Sequence, residues 1–325
     1  MIEVNTVKQL DFSALYLGHL KLEDRYSDAS GAEVKPILAG TRLREDLDQL
    51  IAACRRTLDA HSTVTEFKTQ HDNIAYRVSV MHTRSGEVFV LRRIIDSIPT
   101  LSELGIPQAY VRHLMAKNLS GLFVVAGAIK SGKTTTACAM LKDRLIAYGG
   151  VAVSAEDPIE LPLEGSHGNG VCYQTVSSRG AQDCIDGFRQ AIRWGAKTIL
   201  IDEIRTHDIA IEALQASFNG HLVITTMLAA NVIQTINKLH VLVAERLPLQ
   251  DVQALLAEGL VGVLHQQLMP STKQKVETEF LFFKNEPMAK TVLRNGKYEL
   301  LGTDIKRQMA LMITDNATAQ RIAET

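Results

Sequence analysis

The chain has 325 residues, 46% hydrophobic, 22% charged and 5% aromatic, and its 35 Lys and Arg against 36 Asp and Glu leave a formal charge of −1. That length suggests two domains, each able to bury a core, and the composition excludes a disordered or collagen-like chain. The balanced charge argues against a dedicated nucleic-acid binder, which would carry a basic excess, so no nucleic-acid partner is expected.

Cys54, Cys138, Cys172 and Cys184 are too sparse for a disulfide framework and form no CxxC pair. A reducing compartment without a zinc knuckle is the reading. The opening stretch MIEVNTVKQLDF is too acidic and too weakly apolar for a signal peptide. No run reaches the ~18 apolar residues that span a bilayer. No integral membrane segment is expected, and membrane contact would be peripheral.

In chain order, LREDLDQLIAACRRTL (43–58) places Leu43, Leu47, Leu50, Ile51 and Cys54 at helical spacing and predicts an amphipathic helix. AYRVSVMHT (75–83) and EVFVLRRI (87–94) predict strands joined through Arg84-Ser85-Gly86. Residues 1–97 thus read as a small α+β domain. IPTLSELGIPQ supplies two prolines and a glycine, a linker over 98–107 before the helix AYVRHLMAK.

From residue 120 the texture changes to short apolar runs alternating with helices. LFVVA (122–126), VAVSA (151–155), TILI (198–201) and HLVITTM (221–227) predict strands buried on both faces. The helices between them are TTTACAMLKDRLIAY, CIDGFRQAIRW and HDIAIEALQASFN, the first and last closed by glycine. This alternation predicts a parallel α/β sheet over 108–325. The tail after about residue 245 reads as helices with one strand at TEFLFF (278–283).

Gly127-Ala128-Ile129-Lys130-Ser131-Gly132-Lys133-Thr134 fits GxxxxGK[ST], directly after a strand and opening a helix, with Thr135 next in line. Such a loop aims successive backbone N–H groups and a helix N-terminus at an anion. Lys133 would reach the β and γ phosphates of ATP, and the Thr134 hydroxyl would ligate Mg²⁺. Two acidic pairs stand at strand ends, where open α/β sheets place ligands. Asp202 can hold Mg²⁺ through water and Glu203 can polarise an attacking water. Glu156-Asp157 is the second pair; the competing reading of each acid is a solvated strand end or helix cap.

Ser154-Ala155-Glu156-Asp157-Pro158-Ile159-Glu160 resembles the "aspartate box" of the type II/type IV secretion ATPase superfamily. Ile201-Asp202-Glu203-Ile204-Arg205 resembles its Walker B segment, and Asn219-Gly220-His221-Leu222-Val223-Ile224-Thr225-Thr226 its "histidine box". With the phosphate loop these make four boxes in family order. Weaker similarity, as at Met288-Ala289-Lys290-Thr291-Val292, extends over most of the chain after residue 70. The subgroup it is most similar to is the short, PilT-like motors of type IV pili, usually retraction ATPases.

The resemblance implies a PAS-like domain over 1–97 ahead of a RecA-like P-loop ATPase domain, assembled as a hexameric ring. It implies a cytoplasmic enzyme on the inner membrane, docked to a pilus or secretion platform protein. By position, Glu203 is the catalytic glutamate, Glu156 the aspartate-box acid and His221 the first histidine of its box. Arg77, Arg84, Arg92 and Arg93 are the candidates for charge-stabilising fingers; the alternative for each is a solvated or ion-paired strand face. For His221 the alternative is a capped histidine at a strand start.

The chain also departs from the family pattern. Asp202 stands where Gly is common, Met227-Leu228-Ala229 replaces Leu-His-Thr, and Gly195-Ala196-Lys197 replaces Asp-Pro-Asp. The loop Pro162–Cys172 looks more like that of conjugative, thin-pilus and type IVB secretion ATPases, with Cys172 a buried hydrophobe and His167 in a Gly-rich turn. The lack of a four-cysteine element and the chain length disfavour the type II secretion and pilus-assembly branches. Two readings of other classes stay open: a RecA-like nucleic-acid motor, and a low-turnover nucleotide-binding regulatory subunit.

Overall fold

In a computed structural model, which describes residues 6–10, 12–28, 36–60, 65–94, 97–156, 159–176, 181–269 and 275–311, the chain divides into two units. The first lies within Met1–Asp96 and the second begins at Ser97. The first unit contains β1 (Phe12–Leu17), β2 (Arg25–Asp28), β3 (Pro36–Leu38), α1 (Arg44–Ala60), β4 (Glu66–His71), β5 (Ile74–Thr83) and β6 (Gly86–Arg93). Among the described residues these strands form one antiparallel sheet in the order β3-β2-β1-β6-β5-β4.

The apolar stripe of α1 does what its spacing predicts. Leu47, Leu50, Ile51 and Cys54 are buried with Leu15, Leu17, Val78, Phe89 and Leu91 in one core. Each such leucine contributes roughly 2 kcal/mol of hydrophobic stabilisation. The hairpin expected at 75–94 forms as β5 and β6, in register from Tyr76↔Arg93 to Thr83↔Gly86. Strands β1 to β4 are additions to the predicted pair. β4 alternates between exposed and half-buried residues, so it carries no apolar run to announce it.

The second unit contains α2 (Gln108–Leu114), β7 (Gly121–Gly127), α3 (Lys133–Tyr148), β8 (Gly150–Glu156), β9 (Gly165–His167), β10 (Gly170–Val176), α4 (Ala181–Arg193), β11 (Thr198–Glu203), α5 (His207–Phe218), β12 (Leu222–Leu228), α6 (Val232–Ala244), α7 (Leu249–Gly259), β13 (Leu260–Met269), β14 (Lys275–Phe282) and α8 (Pro287–Asn295). Residues 301–311 are also helical. The sheet runs β14-β13-β7-β12-β11-β8-β10-β9, parallel from β13 through β10, with β14 and β9 antiparallel at its edges.

Every residue of β7 is buried. Its side chains alternate between two cores, as a central strand requires. Leu122, Val124 and Ala126 join the core with α5 and α7, whereas Phe123 and Val125 pack with residues of α2 and α3. Helices therefore cover both faces of the sheet. Arg144 of α3, 7% exposed, donates to the carbonyls of Leu114 and Ala116 and caps the end of α2 with its charge.

Three stretches differ from the sequence reading. The tail after 245 was expected to hold one strand, but β13 precedes it, pairing parallel with β7 and antiparallel with β14. Gly262, His265 and the two glutamines Gln266 and Gln267 interrupt its apolar run, so it lacks the continuous pattern of its neighbours. The loop expected at 162–172 contains β9 and the start of β10, which extends the parallel sheet beyond β8. Ile98, Leu101 and Ile106, in the expected linker, are buried in the core of the second unit.

Candidate functional site

The loop between β7 and α3 is shaped by close approach. A Cβ on Gly127 would stand 2.3 Å from the Gln266 carbonyl oxygen and 2.4 Å from Ser131 Oγ, so only glycine fits. Gly132 caps α3 in the left-handed conformation at φ 84°, and Lys130 shares that region at φ 62°. α3 is 16 residues long, and the unpaired N–H groups of its first turn carry the positive end of the helix dipole. Lys133 is buried, and its Nζ donates to the Ala128 carbonyl of the same loop at 2.7 Å. Burial pulls its pKa down, while Glu203, Glu160 and Asp202 pull it back up. Thr134 and Thr135 follow, half-buried.

Because β7, β12, β11 and β8 run parallel and adjacent, their C-terminal ends share one edge of the sheet. That edge carries the acids. Asp202 and Glu203 are the last two residues of β11, which runs two residues beyond the strand end expected at 201. Burial pushes the Asp202 carboxyl up to about 6; Glu160 adds to the rise, Arg205 opposes it, and Glu156 and Glu203 add further. Glu203 Oε2 accepts from Arg205 Nε at 3.1 Å and is 3.0 Å from its Nη2. The backbone oxygen of Asp202 accepts from the hydroxyls of Thr225 and Thr226 at 3.0 and 3.2 Å, tying β11 to β12.

Glu156 ends β8 and is 1% exposed. Its Oε1 accepts from Gln174 Nε2 at 2.9 Å, and burial raises its pKa. Asp157 lies outside the described residues. Two residues that sequence reasoning did not single out join this edge. Glu160, exposed, acts on both Lys133 and Asp202 through its charge; its signal was a third acid within the aspartate box. Gln174 of β10 also donates to Leu161 O at 3.0 Å and accepts from Leu163 and Glu164 N–H at 2.8 and 2.7 Å, so it fixes the segment after Glu156. A lone glutamine gives no sequence signal.

His221 precedes β12 at the end opposite the loop, because Leu222 pairs with Gly121 and Leu228 with Gly127. A strand of that length separates it from the loop by about 20 Å. Its Nδ1 lies 3.0 Å from the Ala196 carbonyl, a strand-start contact. The residue level with the loop is Leu228, where the family pattern has its second histidine. A cavity of about 560 Å³ beside it is lined by Glu203, Arg205, Met227, Leu228, Lys238 and Val241 among others.

The candidate arginines all lie in the first unit. Arg77 and Arg92 face each other across β5 and β6, with Lys68 opposite Arg77 on β4. Arg84 is exposed in the β5–β6 turn. Arg93 is committed within the unit: its Nη2 donates to the carbonyls of Val7, Lys8 and Leu10 at 2.6, 2.9 and 2.9 Å, and its guanidinium lies 4.8 Å from the Phe12 ring centre.

A parallel sheet covered on both faces, a GxxxxGK[ST] loop at a strand–helix junction and acids along the same edge define an α/β ATPase fold. The sequence model of the family described as "Type II/IV secretion system protein" matches residues 55–323, and the chain belongs to that family. The type IV pilus ATPase PilU of Pseudomonas aeruginosa is 31% identical over 238 residues, covering 71% of this chain and 60% of PilU. The chain thus spans about three fifths of that relative. A crystal structure of the pilus retraction motor PilT with bound ADP has a TM-score of 0.70 at 23% identity, covering 93% of this chain and 87% of PilT. The ATPase DotB of Yersinia pseudotuberculosis has a TM-score of 0.70 at 18% identity, covering 91% and 81%. Both structural likenesses are of fold.

Proposed function

We propose that the chain binds ATP on residues 127–135 and hydrolyses it as the motor subunit of a type IV pilus or related secretion machine. The observation that carries this is geometric: a GxxxxGK[ST] loop at the β7–α3 junction, with Glu156, Asp202 and Glu203 at the C-terminal ends of β8 and β11 in the same parallel sheet. In the reaction, the oxygen of a water attacks the γ-phosphorus in line, its proton passes to Glu203, and the β–γ bridging P–O bond breaks to release ADP and phosphate. Lys133 and the loop amides stabilise the phosphate charge. Thr134, directly, and Asp202, through water, have the hard oxygens that suit Mg²⁺, and the mutual repulsion among the acids is what a divalent cation relieves. When bound, Mg²⁺ supplies charge neutralisation on the phosphates.

On this reading copies assemble as a hexameric ring, cytoplasmic and peripheral to the inner membrane, pushing on a platform protein. The first unit acts as the PAS-like domain, and Arg77, Arg84 and Arg92 remain the finger candidates; the contacts of Arg93 favour a structural role. Two machines stay in view, a type IV pilus, as for the relative PilU, and a secretion system, as in the family's description. Deleting the gene separates them: surplus pili support a retraction motor, lost secretion with normal pili supports a secretion ATPase, and no change in either contradicts both. The low-turnover reading draws on Leu228 and is tested by the turnover rate itself.

A further inference from the structure

We propose that Gln266 of β13 is a positioning residue for the phosphate loop, holding the Ser131–Gly132 peptide in the orientation that binds phosphate. The proposal rests on the nucleotide-binding reading above. β13 lies parallel to β7, with His265 opposite Ala126, so the next residue comes level with Gly127, where the loop begins. Gln266 is 1% exposed. Its backbone and side chain both engage the loop. The carbonyl oxygen occupies the space that a Cβ on Gly127 would need, 2.3 Å away. The side-chain Nε2 donates to the Ser131 carbonyl at 2.6 Å and lies 3.1 Å from where a Cβ on Gly132 would stand.

The consequence follows from peptide geometry. In a trans peptide the carbonyl and the next N–H point in opposite directions. Turning the Ser131 carbonyl inward onto Gln266 therefore turns the Gly132 N–H outward, away from β13 and the packed interior. That N–H opens the donor series that runs into the first turn of α3, the series that cradles an anion. Gly132 is free to adopt other conformations, and at φ 84° it needs an outside partner to hold this one.

A second observation separates this glutamine from a core filler. Among the described residues, Gln266 Oε1 and Ser131 Oγ are buried without hydrogen-bond partners. An apolar side chain of the same size would fill the space without an orphan acceptor. The donated bond to the loop is what the amide adds.

The test uses the full-length protein with a fluorescent ADP analogue and ATP. Gln266→Met keeps the volume and removes the donor; Gln266→Glu keeps the shape and replaces Nε2 by oxygen, and serves if the Met variant does not fold. Either variant should bind the ADP analogue on the order of tenfold more weakly, the loss expected when a bond to a charged group is misaimed. KM for ATP should rise by a similar factor with kcat within about a factor of two. Wild-type affinity and KM, or a lowered melting temperature with KM unchanged, would overturn the proposal and leave Gln266 a packing residue. Lys133→Ala is the control for the underlying reading. If it binds nucleotide as the wild type does, the nucleotide site itself is misassigned; if it loses binding while the Gln266 variants do not, only the positioning role fails.

Discussion

Glu203 receives both Nε and Nη2 of Arg205, at 3.1 and 3.0 Å, from a residue only two positions further along the chain. The arginine is 67% exposed and the glutamate 14%. An ion pair so open to solvent adds no more than about 1 kcal/mol to stability. Its importance is electrostatic, because the same guanidinium lowers the neighbouring Asp202 carboxyl.

Arg205→Ala should therefore shift activity rather than stability. Removing the guanidinium lets the Asp202 pKa climb further above about 6. If ionised Asp202 is needed for turnover, the acid limb of the ATPase pH profile moves to higher pH, while the urea midpoint stays near that of the wild type. An acid limb in its original place would dissociate Asp202 from the reaction.

Asp202 also gives a stability prediction. Its folded-state value of about 6 stands above the ordinary 3.8, so between those values the folded state binds the proton more tightly than the unfolded one. Stability from this group thus falls as pH rises through that window, and the penalty is complete above it. Asp202→Asn should be more stable than the wild type at pH 8 by about 1–2 kcal/mol, discounted for partial exposure, and the advantage should vanish near pH 4. Chemical denaturation at the two pH values measures it.

Gly127→Ala should damage the loop out of proportion to one methyl group. The new Cβ meets the Gln266 backbone oxygen and Ser131 Oγ at 2.3 and 2.4 Å, and backbone cannot rotate aside. A cost of about 2–3 kcal/mol in denaturant unfolding is expected, together with loss of nucleotide binding.

Two arginines in the first unit should behave oppositely. Arg93→Met removes three bonds to the carbonyls of Val7, Lys8 and Leu10 and should destabilise by about 3 kcal/mol. Arg84→Ala, in an exposed turn, should change stability by less than about 0.5 kcal/mol. Equal effects in thermal melts would contradict the distinction.

What the sequence made legible follows from burial. β7, β8, β11 and β12 are two-face-buried strands, so each reads as an apolar run, and the loop motif sits where strand and helix meet. β13 was hidden because a residue that serves the loop, Gln266, must be polar. β4 was hidden because it is half-solvated. The place of Glu156, Asp202 and Glu203 was legible because parallel strands deliver their C-terminal ends together. The place of His221, opposite the loop, was not legible because a motif written along the chain does not say at which end of β12 each residue stands. Gln174 and Glu160 gained meaning only once folding brought them to Glu156 and Lys133.

Steady-state ATP turnover of Glu203→Gln, beside its affinity for a fluorescent nucleotide, decides whether this edge of the sheet is a hydrolytic site. The geometry predicts turnover lower by about two orders of magnitude or more with nucleotide still bound. Turnover at the wild-type rate would contradict it.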